Sequence, residues 1–254
     1  MPYLLIFCNH RLTHPCGTSE VPHGCILSNM GIYHVLNRGI DGRKLFLDSQ
    51  DYVRFIHNLY EFNDSAPATE SARRCTDDSN VGPRRSHIRE RLVEIHGWCL
   101  MENHYHLLIS ELVEGGLLKF MMKINVGYAK YYNERYERYG HLFQGKTKKI
   151  LIGNEAHFLY ILHYLHLNPL DYLPGAKKWR QRDKGSIKSV REALEHLAGY
   201  RWSSYLDYCG KKNFPSILTR DLFGNTFGDY QKAIADYLED AKAMSIAGFS
   251  LEYE

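Results

Sequence analysis

Two β-prone runs separated by only two residues place the strongest constraint on the fold of this chain. Residues 91–101 read RLVEIHGWCLM and residues 104–110 read HYHLLIS, with Glu102 and Asn103 between them. Apolar and aromatic runs joined in this way are typical of a β-hairpin. The sequence therefore predicts a sheet that contains an antiparallel strand pair near the middle of the chain.

Hydrophobic periodicity, together with capping and breaking residues, predicts the remaining elements. They are a strand over 32–38, a helix that Asp48 caps, a long helix from Gly115 to near Gly140, a strand after Gly145, and a helix from Asn154 that Pro169 ends near Asn168. The order is strand, helix, strand, strand, helix, strand, with one added helix. It predicts an α+β fold, a ferredoxin-like β-α-β-β-α-β sheet with helices packed over it.

Three segments fall outside this pattern. Residues 1–29 carry no periodicity and are predicted to be an irregular leader. Residues 63–87 are rich in Ser, Asp and Arg and are broken by two prolines, which predicts a polar insertion loop. Residues 171–254 are predicted to form a basic linker and a small helical C-terminal extension. The structured domain is therefore predicted to span residues 30–170.

The composition excludes several classes of protein. The chain has 254 residues, enough for one large domain or one domain with an appendage. No apolar run approaches the roughly 18 residues that a membrane span needs, and the start does not resemble a signal peptide. The six cysteines are scattered without a C-x-x-C pair, so zinc fingers gain no support and reduced thiols in a cytoplasm are expected.

The positive charge of the chain is concentrated in one stretch. Eight Lys and Arg residues and two Glu residues lie between Lys119 and Lys149, interleaved with five tyrosines. Such a pattern suits single-stranded nucleic acid, because cations follow the phosphates while rings stack on bases. A solvated helix whose tyrosines belong partly to the core is the equally weighted alternative. The candidate phosphate contacts are Arg135, Arg138, Lys146, Lys148 and Lys149.

Two pairs of polar residues could form a reactive site. His104 and His106 are two apart in a predicted strand, so their imidazoles point the same way and lie about 7 Å apart at the backbone. Tyr164 and Asn168 are four apart in a predicted helix and share a face. Histidine nitrogens and an amide oxygen can hold Mg²⁺ or Mn²⁺ with positions left open for a phosphate. Exposed strand histidines, a boundary tyrosine and a helix-end asparagine are the structural alternatives.

Several longer motifs occur together in a fixed order. They are YHVLNRG, MENHYHLLIS, YYNERYERYGHLFQGK, YLHLNPL and YRWSSYLDY, between residues 30 and 210. In this order they resemble the Y1 transposases of the IS200/IS605 type, and most of all the REP-associated tyrosine transposases. The HYH run resembles the His-hydrophobe-His motif of the HUH single-strand endonucleases, with Tyr105 in the middle.

The resemblance implies a ferredoxin-like enzyme that cleaves single-stranded DNA at the foot of hairpins. By position, it implies that His104 and His106 bind a divalent metal ion, Mg²⁺ or Mn²⁺, and that Asn168 is the third ligand. It implies that Tyr164 is the nucleophile and that residues 30–170 form the catalytic domain. The product would be a 5′-phosphotyrosine and a free 3′-OH, with no nucleotide cofactor.

Three functional classes remain in competition. A metal-dependent strand transferase acting on single-stranded or hairpin DNA is the leading hypothesis, because the whole candidate set is present. A regulator that binds DNA on the same fold without cleaving it is the alternative. A hydrolase of small substrates would need carboxylates near the histidines, for which Glu102 and Glu111 are the only close candidates. The protein is expected to be a monomer or a homodimer without membrane association.

Overall fold

The structure of the chain is a computed structural model that describes residues 31–67, 89–181 and 187–239. The predicted leader over 1–29 and most of the insertion over 63–87 lie outside the described residues. The last part of the predicted C-terminal extension, beyond residue 239, also lies outside them. Across the described ranges, no helix combines the length and the apolar character that crossing a membrane requires.

In the described part of the chain, four strands form one antiparallel sheet. They are β1 (Ile32–Arg38), β2 (Val93–Met101), β3 (His104–Glu111) and β4 (Lys148–Leu151), in the spatial order β2-β3-β1-β4. Every neighbouring pair runs antiparallel, and β2 and β3 form the predicted hairpin. The α+β fold with its β-α-β-β-α-β element order is therefore confirmed.

Three long helices connect or follow these strands. They are α1 (Ser49–Glu61), α2 (Gly116–Arg135) and α3 (Glu155–Leu167). The Asp48 and Asn154 side chains accept hydrogen bonds from the first free backbone N–H groups of α1 and α3, as N-caps do. Before α2, Gly115 takes the left-handed conformation (φ 69°) that glycine adopts without strain.

Helix α2 ends at Arg135, which is earlier than the predicted end near Gly140. Glu137 adopts a positive φ of 48°, which a continuing helix does not allow. The Asn133 side chain then donates to the carbonyl of Gly140 at 2.9 Å and stabilises the turn. The predicted end of the helix was wrong because it relied on periodicity alone, and the tyrosines of this stretch continue past Arg135.

The alternation of side chains along the strands produces two cores, one on each face of the sheet. Val35, Tyr105 and Leu107 pack on one face against α1 and α2. Cys99 and Leu108 pack on the other face against α3. Removing one large side chain from either core, such as Phe120 or Leu162, would cost about 2–5 kcal/mol of folding stability.

The C-terminal helices share the second core with α3. They are α4 (Val190–Gly199), α5 (Tyr205–Tyr208), α6 (Asp221–Phe227) and α7 (Tyr230–Glu239). Leu197, Tyr205, Phe223 and Ile234 are buried members of that core. A short 3₁₀ turn, Asn168–Tyr172, and a second one, Trp179–Gln181, connect α3 to this part of the chain. Helix α3 therefore lies between the sheet and the C-terminal helices.

Candidate active site

The two histidines of the HYH run lie on the α3 side of the sheet, on the central strand β3. Strand alternation sends Tyr105 into the opposite core and leaves both histidines on the same face. The ring centroids of His104 and His106 are 4.9 Å apart, and the ring planes are nearly perpendicular. The sheet therefore brings two imidazoles together by local spacing alone.

Each of these rings is held through its Nδ1 atom. Nδ1 of His104 is 2.7 Å from Oδ1 of Asn103, and Nδ1 of His106 is 2.9 Å from Nε2 of His34. A carboxamide oxygen only accepts hydrogen bonds, so His104 donates from Nδ1 and keeps a lone pair on Nε2. Within the described residues, no hydrogen bond engages Nε2 of either ring. Rings held at one nitrogen and open at the other have the orientation that metal ligands require.

Burial keeps both histidines neutral at ordinary pH. It lowers the pKa of His104 to about 4, and the nearby Asp171 carboxylate opposes this shift only in part. Burial also lowers the pKa of His106 well below its usual value, and the neighbouring His104 and His34 act in the same direction. Neutral imidazole is the form that coordinates metal ions. The neutral charge of both rings therefore suits a metal site.

Tyr164 of α3 faces this pair. Its ring centroid is 5.9 Å from that of His106 and 5.9 Å from that of His34, in edge-to-face contacts. The side chain is only 5% exposed. Burial raises the pKa of the Tyr164 phenol, and the positive charge of Arg180 opposes that shift. Tyr164 is therefore positioned beside the histidines, and Arg180 offsets part of the rise that burial causes in its pKa.

Asn168 is fully buried at the end of α3. Its Nδ2 donates to the carbonyls of Tyr164 and Leu165, at 2.9 and 3.3 Å. Pro169 has no N–H to offer the Leu165 carbonyl, so the amide replaces that missing donor. The oxygen of the amide points the other way and accepts from Arg180 at 2.7 Å. A metal-binding role for Asn168 stays a prediction, since this oxygen has a cationic partner in the structure.

Arg180 and His34 are the two residues of this site that sequence reasoning missed. The guanidinium of Arg180 lies 5.7 Å from the centre of the Tyr164 ring and forms an ion pair with Asp171. Nothing local marks it, because it stands in an irregular basic connection. His34 did carry a signal, because it is next to Val35 in a predicted strand, and neighbouring strand residues point to opposite faces of the sheet.

The register of β4 separates the two lysines of the edge strand. Lys148 lies opposite Leu36 and Lys149 lies opposite Val35. Residues directly opposite each other share a face of the sheet, so Lys148 lies on the histidine face and Lys149 on the other. Nζ of Lys149 is accordingly 6.0 Å from the ring of Tyr33, on the α1 and α2 side. Lys146 is exposed just before the strand.

The two arginines of the basic stretch have partners within the protein. Arg135 forms ion pairs of 2.6 Å with Asp48 and with the buried Asp51. Arg138 donates to the side chain of Asn133 at 2.7 Å and to the carbonyl of His141 at 3.2 Å. Contacts of these arginines with DNA stay predictions, as do those of Lys146, Lys148 and Lys149.

The interleaved tyrosines point mostly into the protein. Tyr128 and Tyr132 are buried and donate to backbone carbonyls of the segment before α1. Tyr131 and Tyr136 both donate to the Asp51 carboxylate, at 3.0 and 2.8 Å. Only Tyr139, among the five, is almost fully exposed, at 94%. The alternative interpretation of this stretch, a helix whose tyrosines belong partly to the core, therefore holds for the other four.

Comparison with protein families matches one segment of the chain. Residues 85–168 match the family described as Transposase IS200 like. This segment is about a third of the chain and contains the β2–β3 hairpin, α2, β4 and α3. It includes His104, His106, Tyr164 and Asn168. The segment that carries these four residues is therefore similar to the IS200-like transposases, and the predicted resemblance is confirmed.

A solved structure is distantly similar to this chain. It is described as the structure of the REP-associated tyrosine transposase bound to a REP hairpin, and it is 13% identical in sequence to this chain. The alignment covers 76% of this chain and 87% of the other, with a TM-score of 0.46. No curated protein matches the chain.

Proposed function

We propose that this protein is a metal-dependent endonuclease and strand transferase that acts on single-stranded DNA near hairpins. The observation that carries the proposal is the position of Tyr164, whose ring lies 5.9 Å from that of His106. A phenol beside two neutral histidines, within a segment that matches the IS200-like transposases, has the parts that DNA transesterification needs. The preference for hairpins rests on the resemblance to that family.

Two nitrogens and one oxygen would hold the metal ion. These are Nε2 of His104, Nε2 of His106 and, once released from Arg180, the amide oxygen of Asn168. Among the described residues, no group of three or more His, Cys, Asp or Glu side chains could hold a metal, so the amide or the substrate must complete the site. A bound Mg²⁺ or Mn²⁺ would polarise the phosphoryl oxygens and orient the scissile bond.

Tyr164 supplies the attacking oxygen. Its phenolic oxygen forms a bond to phosphorus while the bond from phosphorus to the 3′ oxygen breaks. The phenol proton passes to water, and the 3′ oxygen takes up a proton and becomes a 3′-OH. The DNA then carries a 5′-phosphotyrosine, and no nucleotide cofactor is consumed because one phosphodiester has been exchanged for another.

Arg180 assists this step through its charge. It lies over the Tyr164 ring, and its positive charge favours the phenolate that attacks. The free pKa of a tyrosine is about 10, so an unassisted phenol is a weak nucleophile at neutral pH. The cation offsets part of the further rise that burial causes. Arg180 is therefore the residue of this chain that we assign to activation of the nucleophile.

The hydrolase alternative has little structural support. Glu102 forms an ion pair of 2.8 Å with Lys44, and a Glu111 oxygen accepts from the backbone N–H of Leu117 at 2.9 Å. Both carboxylates thus have structural partners away from the histidine rings. The regulator that binds DNA without cleaving it remains the second candidate, since the basic stretch and the fold serve binding as well as cleavage.

A covalent-adduct assay tests the proposal. The full chain is incubated with labelled hairpin DNA and Mn²⁺ and is then separated under denaturing conditions. The wild type should form an adduct and Tyr164→Phe should form none, while both bind DNA equally. Tyr160→Phe is the matched control, because its ring is 5.7 Å from that of Tyr164, one helical turn earlier. A wild type that binds hairpin DNA but neither cleaves it nor forms an adduct would favour the regulator. A wild type that cleaves the DNA without forming an adduct would favour the hydrolase.

A further inference from the structure

A third histidine, His34, contacts His106 from the neighbouring strand. His34 lies on β1 and is fully buried, and its Nε2 is 2.9 Å from Nδ1 of His106. The register pairs His34 with Leu108 and Leu36 with His106. The two histidines are therefore diagonal neighbours on one face, within reach of each other's side chains. Their contact is fixed by the pairing of two central strands.

The contact is an in-line hydrogen bond between ring edges. The ring centroids are 5.1 Å apart and the ring planes differ by 18°. The centroid distance equals the 2.9 Å between the two nitrogens plus the distance from each nitrogen to the centre of its own ring. The two nitrogens thus lie on the line between the ring centres, and each points at the other. Because Nε2 of His34 and Nδ1 of His106 point at each other, they cannot both point at one metal ion. His34 is therefore not placed as a second ligand beside His106.

Two neutral arrangements satisfy this hydrogen bond. In the first, His34 donates from Nε2, and His106 carries its own proton on Nε2, where it blocks a metal ion. In the second, His106 donates from Nδ1, and its Nε2 lone pair is available to a metal ion. The two arrangements have the same net charge. They differ only in which ring atoms carry the protons.

The surroundings of the other ring nitrogen of His34, Nδ1, favour the first arrangement when no metal is bound. Nδ1 of His34 is buried, and no described residue provides it with a hydrogen-bond partner. The second arrangement would place a proton on this atom, and buried N–H groups without an acceptor are rarer than acceptors without a donor. Nε2 of His106, which carries the proton in the first arrangement, is not among the buried unpaired atoms of the described residues. The free protein is therefore expected to hold His106 in the form that does not bind metal.

We propose that His34 is a positioning residue that controls the tautomer of His106 and thereby couples metal binding to a proton rearrangement. The inference rests on the proposed function, since it assumes that His106 binds a divalent ion. On binding, the Nε2 proton of His106 leaves, the shared proton passes from His34 to His106, and Nδ1 of His34 takes up one proton. No proton is gained or lost overall. Metal affinity is consequently weaker than two preoriented imidazoles would give.

Nuclear magnetic resonance of the ¹⁵N-histidine-labelled full chain observes this rearrangement directly. Long-range ¹H–¹⁵N couplings distinguish a ring protonated at Nδ1 from one protonated at Nε2. His106 should be protonated at Nε2 in the metal-free wild type and at Nδ1 once Mg²⁺ saturates the site. The same tautomer in both states would overturn the proposal, and this outcome requires no variant to fold.

Titration calorimetry with Mn²⁺ alone gives a second readout. His34→Leu leaves the Nδ1–H of metal-bound His106 without its acceptor and should weaken Mn²⁺ binding about 10-fold or more. His34→Gln offers a carboxamide oxygen to Nδ1–H of His106 and should retain or improve the affinity. His96→Leu is the matched control, because His96 is a buried histidine of the same sheet whose ring contacts Ser110 and Thr219 instead.

The outcomes separate this inference from the proposed function. If the wild type binds Mn²⁺ and a folded His34→Leu variant binds it with the same affinity, the role of His34 alone is overturned. A wild type that binds no divalent ion at all would overturn the metal-dependent function and this inference together. Weakening in His34→Leu, with affinity kept in His34→Gln and His96→Leu, supports the proposal.

Discussion

Arg180 donates a hydrogen bond to the amide oxygen of Asn168 at 2.7 Å. The same guanidinium lies 5.7 Å from the centre of the Tyr164 ring and forms an ion pair with Asp171. One cation thus contacts both residues that α3 contributes to the candidate site. A divalent ion that bound Asn168 would compete with this hydrogen bond, whereas the phenolate of Tyr164 would gain from the same charge.

Replacing Arg180 by Gln should therefore affect metal binding and cleavage in opposite directions. Loss of the cation frees the Asn168 oxygen, so Mn²⁺ should bind at least as tightly as to the wild type, by calorimetry. Loss of the cation also leaves burial unopposed, so the pKa of Tyr164 should rise further. The cleavage rate should increase with pH as the phenol of Tyr164 ionises, and in Arg180→Gln this increase should occur at higher pH. Arg180→Lys keeps the charge and should stay closer to the wild type, and identical pH profiles for all three proteins would contradict the assigned role.

The two lysines of β4 should contribute unequally to DNA binding. Lys148 lies on the histidine face and Lys149 on the opposite face, as their pairing with Leu36 and Val35 shows. Lys148→Ala should reduce the slope of log affinity against log salt by about 0.7 for each lost phosphate contact on a single strand. Lys149→Ala, which removes the same charge from the neighbouring position, should change the slope less. Equal losses would place the DNA along the strand edge rather than on the histidine face.

Asp51 should be essential for folding stability. This buried carboxylate accepts hydrogen bonds from the Leu47 backbone and from the Tyr131, Arg135 and Tyr136 side chains, at 2.6 to 3.0 Å. Asp51→Ala leaves these donors unpaired and should cost about 3–5 kcal/mol in urea unfolding, the usual cost of breaking a buried ion pair.

The ion pairs of Arg135 with Asp48 and Asp51 predict that Arg135 stabilises the fold rather than binding DNA. If its charge serves Asp48 and Asp51, Arg135→Ala should lower the free energy of unfolding and leave the salt dependence of DNA binding unchanged. Lys130→Ala is the control, because Lys130 is an exposed cation on the same helix and its loss should not affect stability. A reduced salt slope in Arg135→Ala would instead support the predicted contact with phosphate.

The buried histidines should make the fold sensitive to mild acid. Burial lowers the pKa of His34 to about 3 and those of His96 and His104 to about 4, and the pKa values of His106 and His166 lie well below 6.5. Between about pH 4 and 6.5 the unfolded chain therefore binds protons that the folded chain does not, and stability should rise with pH. Each histidine adds up to about 1.4 kcal/mol per pH unit.

Urea unfolding at several pH values between 4 and 7 measures this slope. His96→Gln removes one of the five groups and should make the slope shallower, whatever it does to stability at pH 7. A free energy of unfolding that does not depend on pH across this range would show that these rings titrate alike in both states.

The sequence by itself determined the elements of the fold and the local pairs of the site. The hairpin, the caps at Asp48 and Asn154, and the strand and helix order could be predicted, because each depends on residues within a few positions of one another. Strand alternation placed His104 and His106 on one face, and helical spacing placed Tyr164 and Asn168 near each other. The long helix was predicted too long, because the turn at Glu137 leaves no mark in the periodicity.

Only the tertiary structure decided which of these faces meet. His34 reaches His106 across 72 residues of sequence, through a register that no local pattern specifies. Arg180 comes to Tyr164 from the 3₁₀ turn Trp179–Gln181, and Arg135 pairs with Asp51 on another helix. Local spacing fixes the direction in which a side chain points. Its partner depends on strand order and helix packing, which are set by the burial of two whole cores.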